Sequence, residues 1–228
     1  MRSFLKAAMA ITRKELYLEW KTKRLVSTML IFASLVIVTF SFAFDPVQNT
    51  VKALIPGLIW IIIVFAGILA FNRSFLDELR NDSLHGLIIA PIDPFNIFLG
   101  KMTANFIFLM TVQIVAIPLL FILFDFDFPF HHLFYFIFTL FLGTIGFSGI
   151  GTFLAALSAN SHRSEMLLPV ILFPVATPMI IAAVQSTKII LIDIEQWPSA
   201  VSWMQFIAVY DFIFLVLGFI LFEYILEV

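Results

Sequence analysis

Residues 25–44 read LVSTMLIFASLVIVTFSFAF, twenty consecutive positions without a charge between Arg24 and Asp45. At about 1.5 Å of rise per residue, a helix of that length reaches roughly 30 Å, the thickness of a bilayer's hydrocarbon core. The stretch is long enough to cross a membrane. Five further uncharged or nearly uncharged runs repeat it, at 53–72, 102–124, about 133–157, 166–187 and about 204–222. The fifth run carries Pro169, Pro174 and Pro178, which a packed membrane helix tolerates because its neighbours re-satisfy the carbonyls the prolines release. The sixth run contains Asp211, the one charge expected inside the membrane. The fold class expected is an all-α integral membrane protein with six transmembrane helices.

Composition agrees with that reading. Of 228 residues, 62% are hydrophobic, only 12% are charged and 29 are Phe, with a mean hydropathy of +1.08. So little polar surface cannot cover a water-soluble globule. Six spans of about 20 residues consume about 120 positions and leave no room for a soluble catalytic domain. With no Cys, disulfides, thiolate metal sites and cysteine nucleophiles are excluded, and a net charge of −2 gives no reason to expect nucleic acid. The segment before the first span is too long and too polar for a signal-peptide n-region, so it is read as retained.

The basic residues set the orientation. Arg2, Lys6, Arg13, Lys14, Lys21, Lys23, Arg24, Arg73, Arg80, Lys101 and Arg163 fall on one side of the six-span plan, and only Lys52 and Lys188 fall on the other. The rule that cytoplasmic loops are basic places both termini in the cytoplasm. Residues 1–24 form a helix whose basic sector lies beside Leu5, Met9, Leu16 and Trp20, a pattern suited to the membrane interface. Glu15 and Glu19 interrupt its apolar arc one turn apart. They either face protein, as contacts for a partner, or form local pairs such as Glu19 with Lys23. The longest inner loop, 73–101, first continues the helical spacing of the second span through Phe75, Leu76 and Leu79. After Asn81-Asp82-Ser83, with Ser83 as an N-cap, residues 84–90 read as a short helix ended by Pro91 and Pro94. Its Leu84, Leu87, Ile88 and Ile89 want a protein groove or a membrane surface to rest on.

These residues carry a resemblance. Pro56-Gly57-x-x-Trp60, Arg73-Ser74-Phe75, Leu84-His85-Gly86-Leu87-Ile88-Ile89-Ala90-Pro91 and Phe98-Leu99-Gly100-Lys101, with Lys14-Glu15-Leu16-x-x-Glu19-x-Lys21, are similar to the CcmB family, the heme exporter permease of cytochrome c maturation. The resemblance covers essentially the whole chain and implies a single permease domain over 1–228, of the type 2 ABC exporter kind, in the bacterial inner membrane. It implies that residues 73–101 form a coupling loop touched by a separate CcmA-type ATPase. The contact residues implied are Glu15, Glu19, Leu84, Gly86, Leu87 and Ile88. CcmC, CcmD and the heme chaperone CcmE would complete the assembly, with heme a handled substrate rather than a stable cofactor. The residues themselves add that Gly100-Lys101 lacks the upstream glycine of a phosphate-binding P-loop, so nucleotide energy is expected to arrive through the partner.

Three further groups are candidates. Asp211, seven residues beyond Met204 and so expected in the outer third of the membrane, reads as a snorkelling or hydrogen-bonded structural residue, with proton coupling as the alternative. The outer loop Asp125-Phe-Asp-Phe-Pro-Phe-His131-His132 reads as interfacial, with heme or metal ligation the alternative. Thr144, Ser148, Gly151 and Ala155 share about 60° of the fourth helix, a small-residue stripe for packing within the chain or against a second copy. Two rival functions follow from these groups, an autonomous carrier with Asp211 as its proton site and an intramembrane metalloenzyme built on the outer loop.

Overall fold

The computed structural model describes residues 2–44, 49–80, 93–159 and 164–226, and no strand occurs among them. The helices are α1 (Arg2–Thr22), α2 (Arg24–Ala43), the single turn α3 (Asn49–Lys52), α4 (Ile55–Arg80), α5 (Pro94–Leu123), α6 (Leu133–Ala159), α7 (Ser164–Leu191) and α8 (Trp197–Leu226). Six of them, α2 and α4 to α8, are long and apolar enough to cross a membrane.

Burial separates inner from outer helices. In α2 only Leu25, Met29, Ala33 and Ile37 are buried, a single stripe at four-residue spacing. The rest of α2, with Ile31, Leu35 and an almost fully exposed Phe42, faces outward. A surface this apolar is stable against lipid tails and not against water. Helices α4 and α6 form the interior, and the glycines of α6 explain how closely they approach. A Cβ on Gly143 would overlap the ring of Trp60, one on Gly151 would overlap Phe71, and across the same seam one on Gly67 would overlap Phe147. The rings of Phe71 and Phe147 meet edge to face, with centroids 5.2 Å apart. Rings of one helix thus lie in the glycine notches of the other.

Two element boundaries differ from the sequence reading. The third span begins at Pro94 and not at 102: the Asp93 carboxylate accepts a hydrogen bond from Phe95 N at 2.9 Å, and proline at the first position lacks only an amide that would be orphaned anyway. The resulting helix of 30 residues takes Lys101 out of the loop and into the bundle. With α4 continuing to Arg80, only residues 81–92 remain of the inner loop, and they lie outside the described residues. At the other end, α8 starts at Trp197 and not near 204, so Trp197 and Trp203 are helical and Asp211 sits midway along 30 residues. Pro198 in the first turn of this helix costs little.

Candidate functional site

At the end of the bundle that carries most basic residues, α1 turns into α2 at Lys23, whose φ of 49° is left-handed. This corner folds α1 back across α5. Ala8, Ile11, Thr12 and Glu19 make up the buried face of α1, at helical spacing. A Cβ on Gly100 of α5 would come 2.7 Å from Ile11 Cβ and 2.9 Å from the Ala8 carbonyl oxygen, so only glycine permits this approach. The Thr12 hydroxyl donates to the Gly100 carbonyl at 3.0 Å. Met9 and Trp20, which the sequence placed on the apolar arc, are exposed on the opposite side.

Glu15 and Glu19 both turn into the protein. Glu15 Oε1 lies 3.3 Å from the ammonium of Lys101, whose side chain has no exposed surface, and 3.8 Å from Lys14. The same ammonium donates to the Ser74 carbonyl and sits 4.6 Å above the ring of Phe75, so a buried cation is satisfied from α1 and α4 together. Glu19 accepts from Val26 N at 2.9 Å. A carboxylate thus caps the exposed amides at the start of α2, where a negative charge also suits the helix dipole. Its other oxygen is 4.0 Å from Arg73 of α4. Glu19 does not pair with Lys23 as a local i,i+4 contact; Lys23 instead lies near the Trp20 ring. The two glutamates, expected as partner contacts, are therefore engaged within the chain: one clamps α1 to α4 and α5, and the other fixes the α1–α2 corner. Below them, Asn105 Nδ2 donates to Thr152 Oγ1 of α6 at 3.0 Å and toward Ser74 Oγ at 3.4 Å, extending the polar seam inward.

This seam brackets the inner loop. Arg73, Ser74 and Phe75 lie on the last turns of α4 before it, and Gly100 and Lys101 on the second turn of α5 after it. Leu84, Gly86, Leu87 and Ile88, expected as the coupling contacts, fall outside the described residues, as do His85, His162 and Arg163.

The remaining candidates sit elsewhere. Thr144, Ser148, Gly151 and Ala155 are all buried inside the chain. Thr144 Oγ1 accepts from Gln113 Nε2 of α5 at 2.8 Å, and Gly151 receives Phe71 of α4. Asp211 points inward and does not snorkel: it is 5% exposed, its Oδ1 occupies the place a Cβ on Gly146 of α6 would take, and neither oxygen has a hydrogen-bond partner among the described residues. Beside it, the Tyr210 hydroxyl donates to the carbonyl of Val175, three residues before Pro178 in α7. Around the outer loop Phe121, Phe126, Phe128 and Phe136 cluster in tilted and edge-to-face pairs with centroids 5.3 to 6.0 Å apart, and the His131 and His132 rings meet at 3.9 Å. Among the described residues no three His, Asp or Glu side chains converge as a metal site.

Sequence reasoning missed the seam of Ala8, Ile11 and Thr12 against Gly100, and the burial of Lys101. The signal was present as small and β-branched residues at helical spacing, but a wheel cannot tell which face meets protein and which meets lipid.

Comparison with known proteins adds one strong match. The family model described as "CcmB protein" matches residues 6–219. Curated relatives named "Heme exporter protein B" include one from Pseudomonas aeruginosa, 26% identical over 152 residues that are 67% of each chain. One from Rhodobacter capsulatus is 28% identical over 67% of this chain and 69% of its own. A third, from Haemophilus influenzae, is 25% identical over 76% and 77%.

Proposed function

This chain belongs to the CcmB family, and from that membership we infer that it is the membrane permease subunit of a heme export system serving cytochrome c maturation. The observation that carries the reading is the family match across residues 6–219, which reaches from the N-terminal helix into the last of the six helices that can cross the membrane. The chain is a multi-pass membrane protein of the permease kind, and its own chemistry is non-catalytic. We place it in the bacterial inner membrane with both termini cytoplasmic, because eleven of its thirteen basic residues lie on the side of the N-terminal helix. Its power comes from a CcmA-type ATPase docked on that face, and it works beside CcmC, CcmD and the heme chaperone CcmE, exporting heme or releasing the loaded chaperone.

The geometry supports a division of labour at the docking face. Residues 84–90, with Leu84, Gly86, Leu87 and Ile88, meet the ATPase. Glu15 and Glu19 act behind them: anchored to Lys101 and Arg73 on either side of the loop, they carry a push on the loop into α1 and through Val26 into α2. The small-residue stripe of α6 is spent on packing within the chain, so a homodimer, if formed, uses another face. The autonomous carrier is not favoured, since a family of permease subunits accounts for the whole chain.

Affinity purification of the full chain from native membranes in mild detergent tests this. The wild type brings down an ATPase subunit, and Leu87→Asp releases it while the chain still purifies as a folded, monodisperse species. Retention of the ATPase by Leu87→Asp contradicts the assignment of residues 84–90 to the docking face.

A further inference from the structure

Under the α1–α2 corner lies a groove of about 460 Å³, bounded by α1, α2 and α5 and open on one side. It exists because the left-handed Lys23 sends α1 across the end of α2 and leaves a hollow below, which α5 closes. Its walls are Leu16, Val26, Ile107 and Phe108. The two hydroxyls that reach it are turned away: Ser27 Oγ donates to the Lys23 carbonyl, and Thr111 Oγ1 donates to the Ile107 carbonyl at 2.8 Å. The slot therefore asks for hydrocarbon.

Its mouth asks for the opposite. Lys23 lines it, with its ammonium 6.0 Å from the Trp20 ring. The one carboxylate at the mouth, Glu19, is committed inward to Val26 N and Arg73 and leaves the rim positive. A second hollow, whose lining includes Gly57, Val64, Phe65, Phe173, Ile180 and Val184 of α4 and α7, has the same apolar wall but no cation among its lining residues. The corner groove combines an apolar slot with a lysine at the start of α2.

We propose that the α1–α2–α5 groove is a binding site for one anionic glycerophospholipid, its phosphate at Lys23 and one acyl chain lying between Val26 and Phe108. Basic pockets between helices at a membrane surface hold anionic headgroups through this combination of charge and apolar contact. The lipid would brace the corner from the outside, as Glu19 does from the inside.

Native mass spectrometry of the purified full chain, titrated with phosphatidylglycerol and with phosphatidylcholine of the same acyl chains, tests the site. The wild type retains one phosphatidylglycerol with about a fivefold or greater preference over phosphatidylcholine, the factor one surface cation confers. Lys23→Asn keeps a residue that tolerates the left-handed conformation and brings the preference close to one. Thr111→Trp, at an exposed position, fills the slot and removes both lipids. Equal retention of the two lipids by the wild type, an unchanged preference in Lys23→Asn, or a second protein chain in the groove with no lipid retained overturns the proposal.

Discussion

Replacing Lys101 by Met removes the ammonium while keeping most of the stem. In the wild type that ammonium meets Glu15 Oε1 at 3.3 Å, the Ser74 carbonyl, and the Phe75 ring at 4.6 Å, with its side chain wholly buried. Removing one member of a fully buried ion pair costs about 3–5 kcal/mol, because the other charge is left without compensation. Here Glu15 keeps 20% of its side-chain surface and has Lys14 at 3.8 Å, so part of that loss is recovered. The expected destabilisation is about 2–3 kcal/mol. Glu15→Gln costs about 1 kcal/mol, since the ammonium retains the Ser74 carbonyl and the aromatic face. Because the two groups touch, the double variant loses less than the sum, with a coupling of about 1–2 kcal/mol. Denaturant unfolding of the purified chain in detergent, followed by tryptophan fluorescence, measures all four corners of the cycle. A Lys101→Met protein within about 0.5 kcal/mol of wild type, or two strictly additive effects, would refute the claim that this pair clamps α1 to the bundle.

Two more perturbations probe the interior. Gly151→Val forces Phe71 out of its notch and lowers stability by about 1–3 kcal/mol in the same unfolding assay, whereas Gly57→Ala, with no neighbour within 4 Å of the added carbon, stays near wild type; equal effects at both glycines contradict the interlocked seam. Asp211→Asn keeps the shape of a side chain that has no partner among the described residues, so cells carrying it still form holocytochrome c at wild-type levels by heme staining; loss of maturation in a correctly inserted Asp211→Asn protein would give that residue a functional part.

The spans were legible because hydrocarbon imposes a length and excludes charge, and that rule alone marks residues 25–44 and their five counterparts. It fails at span edges. The third span was expected from 102 because Lys101 ends the uncharged run, whereas the Asp93 cap and Pro94 start the helix earlier. The sixth span, expected from about 204, likewise belongs to a helix that starts at Trp197. At the site, two glutamates within a basic helix were visible as an anomaly, and the reading that they face protein was available. That the protein is this chain, through Lys101 and Arg73, was not, because those partners lie 86 and 54 residues away in sequence and nothing local announces them. Residues 84–90 carry the clearest motif and stand outside the described residues, so their part rests on sequence and family alone.

The central claim is that this chain serves the attachment of heme to c-type cytochromes. Its most direct test deletes the gene in its own host and stains membrane proteins for covalently bound heme after denaturing electrophoresis, alongside a spectrum of noncovalent b-type cytochromes. In the deletion strain the c-type bands disappear and the b-type signal persists, and the wild-type gene restores the bands while Leu87→Asp does not. Normal c-type bands in the deletion strain would contradict that claim.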